Sequence, residues 1–303
     1  MQLVLEHINA GIKRNTNKDA CRLFHGRGHC YPGLSYINVD WFMPVLFITL
    51  YQEPEVFEWN SFVKKLELSQ LDIDVVLVQR RYIKGAPIDS LCGKLPSSVV
   101  AQEGGLEFCL SFGQKQNVGF FLDMSPGREW LRGRSTNKRV LNLFAYTCSF
   151  SVYAIDGGAH SVVNVDMSGA ALNIGRENHR LNGHGDRLKR DIEFLPYNLF
   201  RSWGKVKRKG PYDLVVIDPP SRQAGSFIAS KDYVRVIRQL PNLLSEQGEA
   251  LACLNAPELS DEFLISLFEE HCPQLSLVSR LENRSDFPEE DASKNLKMLH
   301  YRL

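Results

Sequence analysis

VLNLFAYTCSFSVYAIDGGAHSVVNVD, residues 140–166, sets the fold class. A short apolar run, Val140 to Phe144, gives way to a loop and a stretch of helical length (Phe150 to Gly157). A second apolar run, Ser161 to Val165, then ends at Asp166. Short apolar runs without alternation suit strands buried on both faces, the condition of a parallel sheet. The rhythm continues through DIEFL, YDLVVID and EALACLN, with helical stretches at Ala170 to Leu181 and Lys231 to Leu244. Strand and helix in alternation predict a doubly wound α/β sheet. After one more helix, Asp261 to Cys272, the runs LSLVSRL and LKMLHYRL are joined only by the loop ENRSDFPEEDASKN. They are expected to pair antiparallel, because a parallel crossover normally carries a helix.

Upstream, residues 1 to about 110 hold short β-type runs (Val45 to Leu50, Val75 to Val78, Leu106 to Leu110) and one helix, Phe57 to Leu66. This predicts a small α+β module over 1–110, able to hold substrate, followed by the α/β domain over 111–303. Hydrophobic residues at 44% supply a core for both. A net charge of +1 excludes nucleic-acid binding by overall charge, so any such affinity must be local. No run of about 18 apolar residues is present to span a membrane. The first residues lack the parts of a signal peptide. Seven cysteines without regular spacing do not form a disulfide framework, and a cytoplasmic location is expected. The oligomeric state stays open.

In open α/β sheets the ligand binds at the carboxyl ends of the strands, where strand order reverses. The loop there is Ala145-Tyr146-Thr147-Cys148-Ser149, with no Gly-x-Gly-x-x-Gly turn to approach a pyrophosphate. That disfavours a nicotinamide dehydrogenase. An α/β sheet closing in an antiparallel hairpin is the Rossmann-like arrangement of class I methyltransferases, whose cofactor S-adenosylmethionine carries no phosphate. Asp166 is spaced to accept both ribose hydroxyls, or else to cap the helix that opens near Ser168. Met167 is placed to pack on the adenine face. Asn198, after the third strand, can accept the adenine amino group through its carbonyl, or cap the helical turn beginning at Leu199.

The chemical motif is YDLVVIDPPS, residues 212–221. A buried strand ends in Asp218, and Pro219 and Pro220 fix a rigid turn that can present a carbonyl to a substrate amine. Asp218 can orient or deprotonate a nucleophile, or hold the charged end of the cofactor. Asp-Pro-Pro followed by an aromatic marks many methyltransferases acting on nucleobase amino groups. Ser221 stands at the aromatic's place, so base stacking would fall to Phe227 or Tyr233.

GQKQNVGFFLDMSPGREWLR (113–132), the run from Val140 through Gly183, and YDLVVIDPPS together resemble the 23S rRNA large-subunit methyltransferases. These include the 5-methylcytosine enzyme and the 7-methylguanine domain of a two-headed enzyme. The similarity covers about residues 100–303. It implies that Asn142, Phe144, Tyr146 and Thr147 line the cofactor loop, Asp166 holds the ribose and Asp218 closes the methionine end; Met167 and Ser168, next to Asp166, complete the expected cofactor-binding set with Asn198. It also implies a hairpin over Gln114 to Asp123 beside the pocket, with Arg128 near. The 5-methylcytosine member carries a PUA domain for which no sequence is seen here. Family members often have glycine at the positions of Cys148 and Ser149. Cytosine-C5 chemistry needs a cysteine nucleophile just past the fifth strand, where this chain has Asn255 or Ala256; Cys253 falls inside the strand and reads as core. Nitrogen is therefore favoured over carbon as the methyl acceptor, with Asp218, Pro219, Pro220 and Asn255 as the catalytic set.

Cys21, His25, His29 and Cys30 carry soft ligand atoms but lack a second well-spaced pair, so no metal is expected. Basic runs at Arg187, Lys189 and Arg190, at Lys205, Lys207, Arg208 and Lys209, and at Arg80, Arg81 and Lys84 could track a phosphate backbone or simply face solvent. The acidic loop Asp286 to Asp291 is expected to border the site. The expected partner is RNA, ribosomal RNA foremost. A methyltransferase of small molecules or proteins, and a non-catalytic RNA-binding protein of the same fold, are the alternatives.

Overall fold

The structure is a computed structural model, described for all residues except 68–70, 72, 114–115 and 224–226 and the side chain of residue 67. The chain divides into two compact units, one of residues 1–122 with 284–290 and one of 123–283 with 291–303, against the expected boundary after residue 110.

The first unit holds α1 (Gln2–Arg14), β1 (Cys21–His25), β2 (Ile37–Phe42), β3 (Val45–Leu50), α2 (Val56–Glu67), β4 (Val75–Arg80) and β5 (Ile88–Cys92). The strands form one sheet in that order, antiparallel except for β3 and β4, which run parallel across α2. A separate hairpin joins β6 (Val99–Glu103) and β7 (Leu106–Leu110). Val4, Ile8, Ile37, Ile48, Phe62 and Val78 are among its core residues. The expected helix and three strands are in place; α1, β1, β2, β5 and β6 are additional.

Residues 284–290 complete this unit as a strap. Asp286 takes both arms of Arg284 (2.7 and 2.6 Å) and the backbone N–H of Arg22 (3.0 Å). Arg22 in turn forks onto Asp40 (2.6 and 3.1 Å) and lies 4.4 Å over the Phe287 ring. The N–H of Glu290 donates to Gly28 O at 2.7 Å, and a Cβ on Gly28 would come within 1.8 Å of Pro288 O. Of the acidic stretch expected to border the site, Asp286 is an anchor within the first unit, whereas Asp291 belongs to the second and caps the 3-10 turn 292–294. His25 also belongs here, its Nδ1 2.6 Å from Arg22 Nη1. Burial and the neighbouring guanidinium push its pKa down to about 3.

The second unit runs α3 (Ser125–Arg132), β8 (Arg139–Leu143), α4 (Ser149–Asp156), β9 (Ser161–Val165), α5 (Gly169–Leu181), β10 (Ile192–Leu195), α6 (Trp203–Lys207), β11 (Tyr212–Ile217), the two-residue ribbon β12 (Arg222–Gln223) and β13 (Phe227–Ile228), α7 (Ala229–Ile237), β14 (Leu244–Leu254), α8 (Asp261–His271), β15 (Ser276–Arg280) and β16 (Lys297–Arg302). Its sheet has the order β10-β9-β8-β11-β14-β16-β15, with only β16 antiparallel to its neighbours. Strand order reverses between β8 and β11. Leu214 and Val216 pack in one core with Trp130 and Phe150, while Val215 and Ile217 pack in the other with Tyr233 and Leu264. Burial on both faces is why these strands read as nearly continuous apolar runs.

Two expectations are corrected. The helix drawn to Leu244 stops at Ile237, because Pro241 disfavours helix at the residue before it; a 3-10 turn at 240–242 leads straight into β14. The hairpin over Gln114 to Asp123 is not formed by its described part: Gln114 lies outside the described residues, and 116–123 hold no strand, ending in a 3-10 turn at Leu122–Met124. Among the described residues no helix is long and apolar enough to cross a membrane, and no group of three or more His, Cys, Asp and Glu is arranged to hold a metal.

Candidate active site

Sheet register brings the carboxyl ends of the strands into one row. Leu195, Val165, Leu143, Ile217 and Ala252 are successive cross-strand partners. The next residue in each strand is therefore Pro196, Asp166, Phe144, Asp218 and Cys253. The acids chosen from sequence, Asp166 and Asp218, emerge on either side of Phe144 in this row, next to the point where strand order reverses.

The loop after β8 is built from backbone that side-chain-bearing residues seldom adopt. Phe144, Tyr146 and Cys148 have φ of 58°, 45° and 62°. Each left-handed non-glycine residue costs on the order of 1 kcal/mol or more and persists only where its surroundings hold it. Those surroundings are visible. Ala145 N donates to Val165 O (3.0 Å), Tyr146 N to Asp166 Oδ2 (2.9 Å), and Asn178 Nδ2 to Thr147 O (2.9 Å). Cys148, fully buried, lies where a Cβ on Gly175 would approach its Sγ to 2.5 Å, so α5 can sit this close only with glycine there. The family's preference for glycine at the Cys148 position coincides with this left-handed site; Ser149 already opens α4.

Asp166 accepts from two backbone donors, Tyr146 N on Oδ2 and Ser168 N (2.7 Å) on Oδ1. Each oxygen keeps a second lone pair, so both ribose hydroxyls can still be received. The helix cap is Ser168, whose Oγ accepts from Ala171 N at 3.1 Å with one of its lone pairs. Met167 is exposed beside it. Asn198 makes no cap, and its Oδ1 is buried without a hydrogen-bond partner. A buried acceptor left unmatched is costly unless something donates to it, and an adenine amino group is such a donor. The donor set fits the cofactor expected from sequence.

Asn142 lies inside the sheet, 1% exposed. Its Nδ2 donates to Asn164 Oδ1 (3.0 Å), and Asn164 Nδ2 continues to Ser151 Oγ (3.0 Å). Ser151 meets His179 Nε2 (2.9 Å), and His179 Nδ1 meets His184 Nδ1 (3.0 Å). This buried polar seam ties β8, β9, α4 and α5 together, so Asn142 supports the loop from beneath it. Burial holds the pKa of His179 down at about 3, helped by His184 and Arg187.

Asp218 follows β11. Desolvation raises its carboxyl pKa to about 7, Asp123 adds to the rise, and the guanidinium of the fully buried Arg128 opposes it. Pro219 is buried and Pro220 exposed. Phe227 and Tyr233 are 1% and 0% exposed. Phe227 packs against Phe144 (5.1 Å between centroids), and Tyr233 Oη donates to Cys253 O (2.9 Å), so neither is free to stack on a base. Cys253 is core, as its place inside a strand implied, and burial pushes its thiol pKa well up. Asn255 is exposed just past β14. Sequence reasoning did not find Asp123 as a neighbour of Asp218, since sequence distance hides the approach of α3's entry to β11.

Residues 21–302 match the family described as S-adenosylmethionine-dependent methyltransferases. Among curated relatives, the ribosomal RNA large subunit methyltransferase I of Aeromonas salmonicida is 36% identical over 130 residues, 42% of this chain and 32% of that protein. A ribosomal RNA large subunit methyltransferase of Deinococcus radiodurans is 32% identical over 212 residues, 67% of this chain and 50% of that protein. The chain thus spans about a third to a half of these relatives. A methyltransferase solved in complex with SAH superposes with a TM-score of 0.87 at 23% identity, covering 100% of this chain and 80% of that one.

Proposed function

The chain belongs to the S-adenosylmethionine-dependent methyltransferase family, and on that premise we propose that it methylates a nucleobase of RNA, ribosomal RNA in the first place. S-adenosylmethionine supplies a sulfonium-bound methyl group that is already a good electrophile, so the protein's task is alignment and charge control. Asp166 would hold the ribose and Asn198 the adenine amino group, with Met167 against the ring and Tyr146, Thr147 and Phe144 shaping the loop. Asp218 would orient the substrate amine or the cofactor's charged end, and the Pro219-Pro220 turn would offer a carbonyl to the amine.

The observation that carries this reading is Asp218: a desolvated carboxyl with a pKa near 7, leading an Asp-Pro-Pro turn at the mouth of the sheet. A group titrating near neutrality can accept a proton from an amine as it is methylated. The relatives' ribosomal RNA substrates support RNA as the acceptor. Nitrogen rather than C5 of cytosine is supported by Asn255 and Ala256 standing where a nucleophilic thiol would be required, and by Cys253 being sealed in the core. A cytoplasmic location accords with such a substrate.

The test is transfer of labelled methyl from S-adenosylmethionine to unmodified ribosomal RNA transcripts, followed by nucleoside mass spectrometry. Label on one base nitrogen, lost in Asp218→Ala, is the expected result. Label reaching only protein or small-molecule fractions would overturn the RNA assignment. Label on C5 of cytosine would overturn the nitrogen assignment.

A further inference from the structure

Residues 197–209, YNLFRSWGKVKRK, contain five cations, three aromatics and no carboxylate. They begin beside Asn198 and lead away from it along the flank of the second unit through α6. Tyr197, Phe200 and Trp203 recur every third residue and are each only part-buried against the core. Lys205 Nζ sits 4.0 Å from the Tyr197 ring centre, and Arg235 of α7 sits 3.9 Å from that of Phe200. Trp203 stands edge-on to Phe200 at 6.3 Å.

Several cations of this unit are ion-paired, among them Arg132 with Asp156, Arg187 with Asp191, Arg280 with Asp261 and, within the stretch itself, Lys209 with Glu193. Arg235 is shared with Asp232. Among the described residues, Arg201, Lys205, Lys207 and Arg208 have no ion-pair partner. These cations without carboxylate partners stand beside part-buried rings; Phe200 is already stacked on Phe227 (6.2 Å between centroids) and covered by Arg235, which leaves Tyr197 and Trp203 to meet a base. Positive charge to track phosphates, interleaved with aromatic faces for unstacked bases, is what an unpaired nucleic-acid strand requires.

We propose that the face formed by Tyr197, Phe200 and Trp203 with Arg201, Lys205, Lys207 and Arg208 docks an unpaired stretch of the RNA substrate. The assignment rests on the RNA reading above and adds where, and in what form, the strand is held. Trp203 also supplies the readout, because Trp41, Trp59 and Trp130 are 4%, 9% and 7% exposed and sealed from a docked strand.

The full chain is titrated with a single-stranded RNA of about 12 nucleotides, a length within the range of single-strand sites. Tryptophan emission is expected to quench on binding in the wild type and to stay flat in Trp203→Phe. In the variant Lys205→Ala/Lys207→Ala/Arg208→Ala, the slope of log affinity against log salt is expected to fall by about 2, at roughly 0.7 for each phosphate no longer neutralised. Unchanged S-adenosylmethionine binding by that variant shows that the unit is still folded. RNA binding indifferent to these changes overturns the face alone. A duplex of equal length competing equally well overturns the unpaired strand. Absence of salt-sensitive RNA binding by the wild type overturns both the face and the RNA reading beneath it.

Discussion

The backbone N–H of Tyr146 donates to Oδ2 of Asp166 at 2.9 Å, so the loop after β8 and the acid after β9 hold one another in place. One carboxylate shapes the loop and, on the proposed reading, would also receive the ribose. Asp166→Ala is therefore expected to weaken S-adenosylmethionine binding at least tenfold, since hydrogen bonds to a charged group contribute about 1.5–3 kcal/mol each. Asp166→Asn, which keeps one acceptor oxygen, should lose less. Calorimetric titration of both variants checks this, and equal affinity in Asp166→Ala would dissociate the carboxylate from the cofactor.

Gly175 and Cys148 make a second testable pair. A Cβ at 175 would meet Cys148 Sγ at 2.5 Å and its Cβ at 2.9 Å. Gly175→Ala should destabilise the unit by about 1–3 kcal/mol, the usual range for overpacking. Adding Cys148→Gly removes both clashes and relieves a left-handed side chain, so part of the loss should return. Denaturant midpoints of the two single variants and the double variant measure the coupling, and strict additivity would count against the close approach.

If Asp218 holds the cofactor's charged end, as proposed, cofactor binding acquires a pH signature. With a free-state pKa near 7, it is about half protonated at neutrality, and a cation bound beside it favours the charged form. S-adenosylmethionine affinity should rise between pH 6 and 8, with proton release near pH 7, as read by calorimetry in buffers of different ionisation enthalpy. Asp218→Asn should abolish both effects. A pH-independent affinity in the wild type would place the charged end of the cofactor away from this carboxyl.

His179 predicts an acid-sensitive fold. Its pKa is lowered from about 6.5 to about 3, so on acidification the unfolded chain takes up a proton that the folded one refuses. Stability is present in full above pH 6.5 and is lost as pH falls from there toward 3, by up to about 1.4 kcal/mol per pH unit. Tm should fall between pH 7 and 5. The fall should be shallower in His179→Gln, whatever that variant's starting stability.

The sheet could be read from sequence because its signal is local. Val215 and Ile217 face one core and Leu214 and Val216 the other, and the apolar run follows directly. The polar seam also left a mark. Asn142 and Asn164 each interrupt an apolar strand, and they prove to be cross-strand partners. Two amides at matching depth in neighbouring buried strands are better matched to each other than to a ligand. The loop's conformation left no such mark, since Phe144, Tyr146 and Cys148 are not residues that advertise positive φ; groups distant in sequence impose it. Phe227 and Tyr233 were candidates for stacking only because their burial depends on the packing of α7, which proximity to Pro220 does not reveal.

The strap has a consequence for biosynthesis. Arg22 leaves the ribosome 264 residues ahead of Asp286, the acid that receives its backbone N–H. Gly28 waits in the same way for Glu290, and the guanidinium of Arg22 for the ring of Phe287. The first unit must therefore stand with its charge network incomplete while the entire parallel sheet of the second unit is made. A nonsense codon before residue 284 would damage the amino-terminal unit as surely as the carboxyl-terminal one. Chaperone dependence of the nascent chain should accordingly persist until residue 290 has emerged.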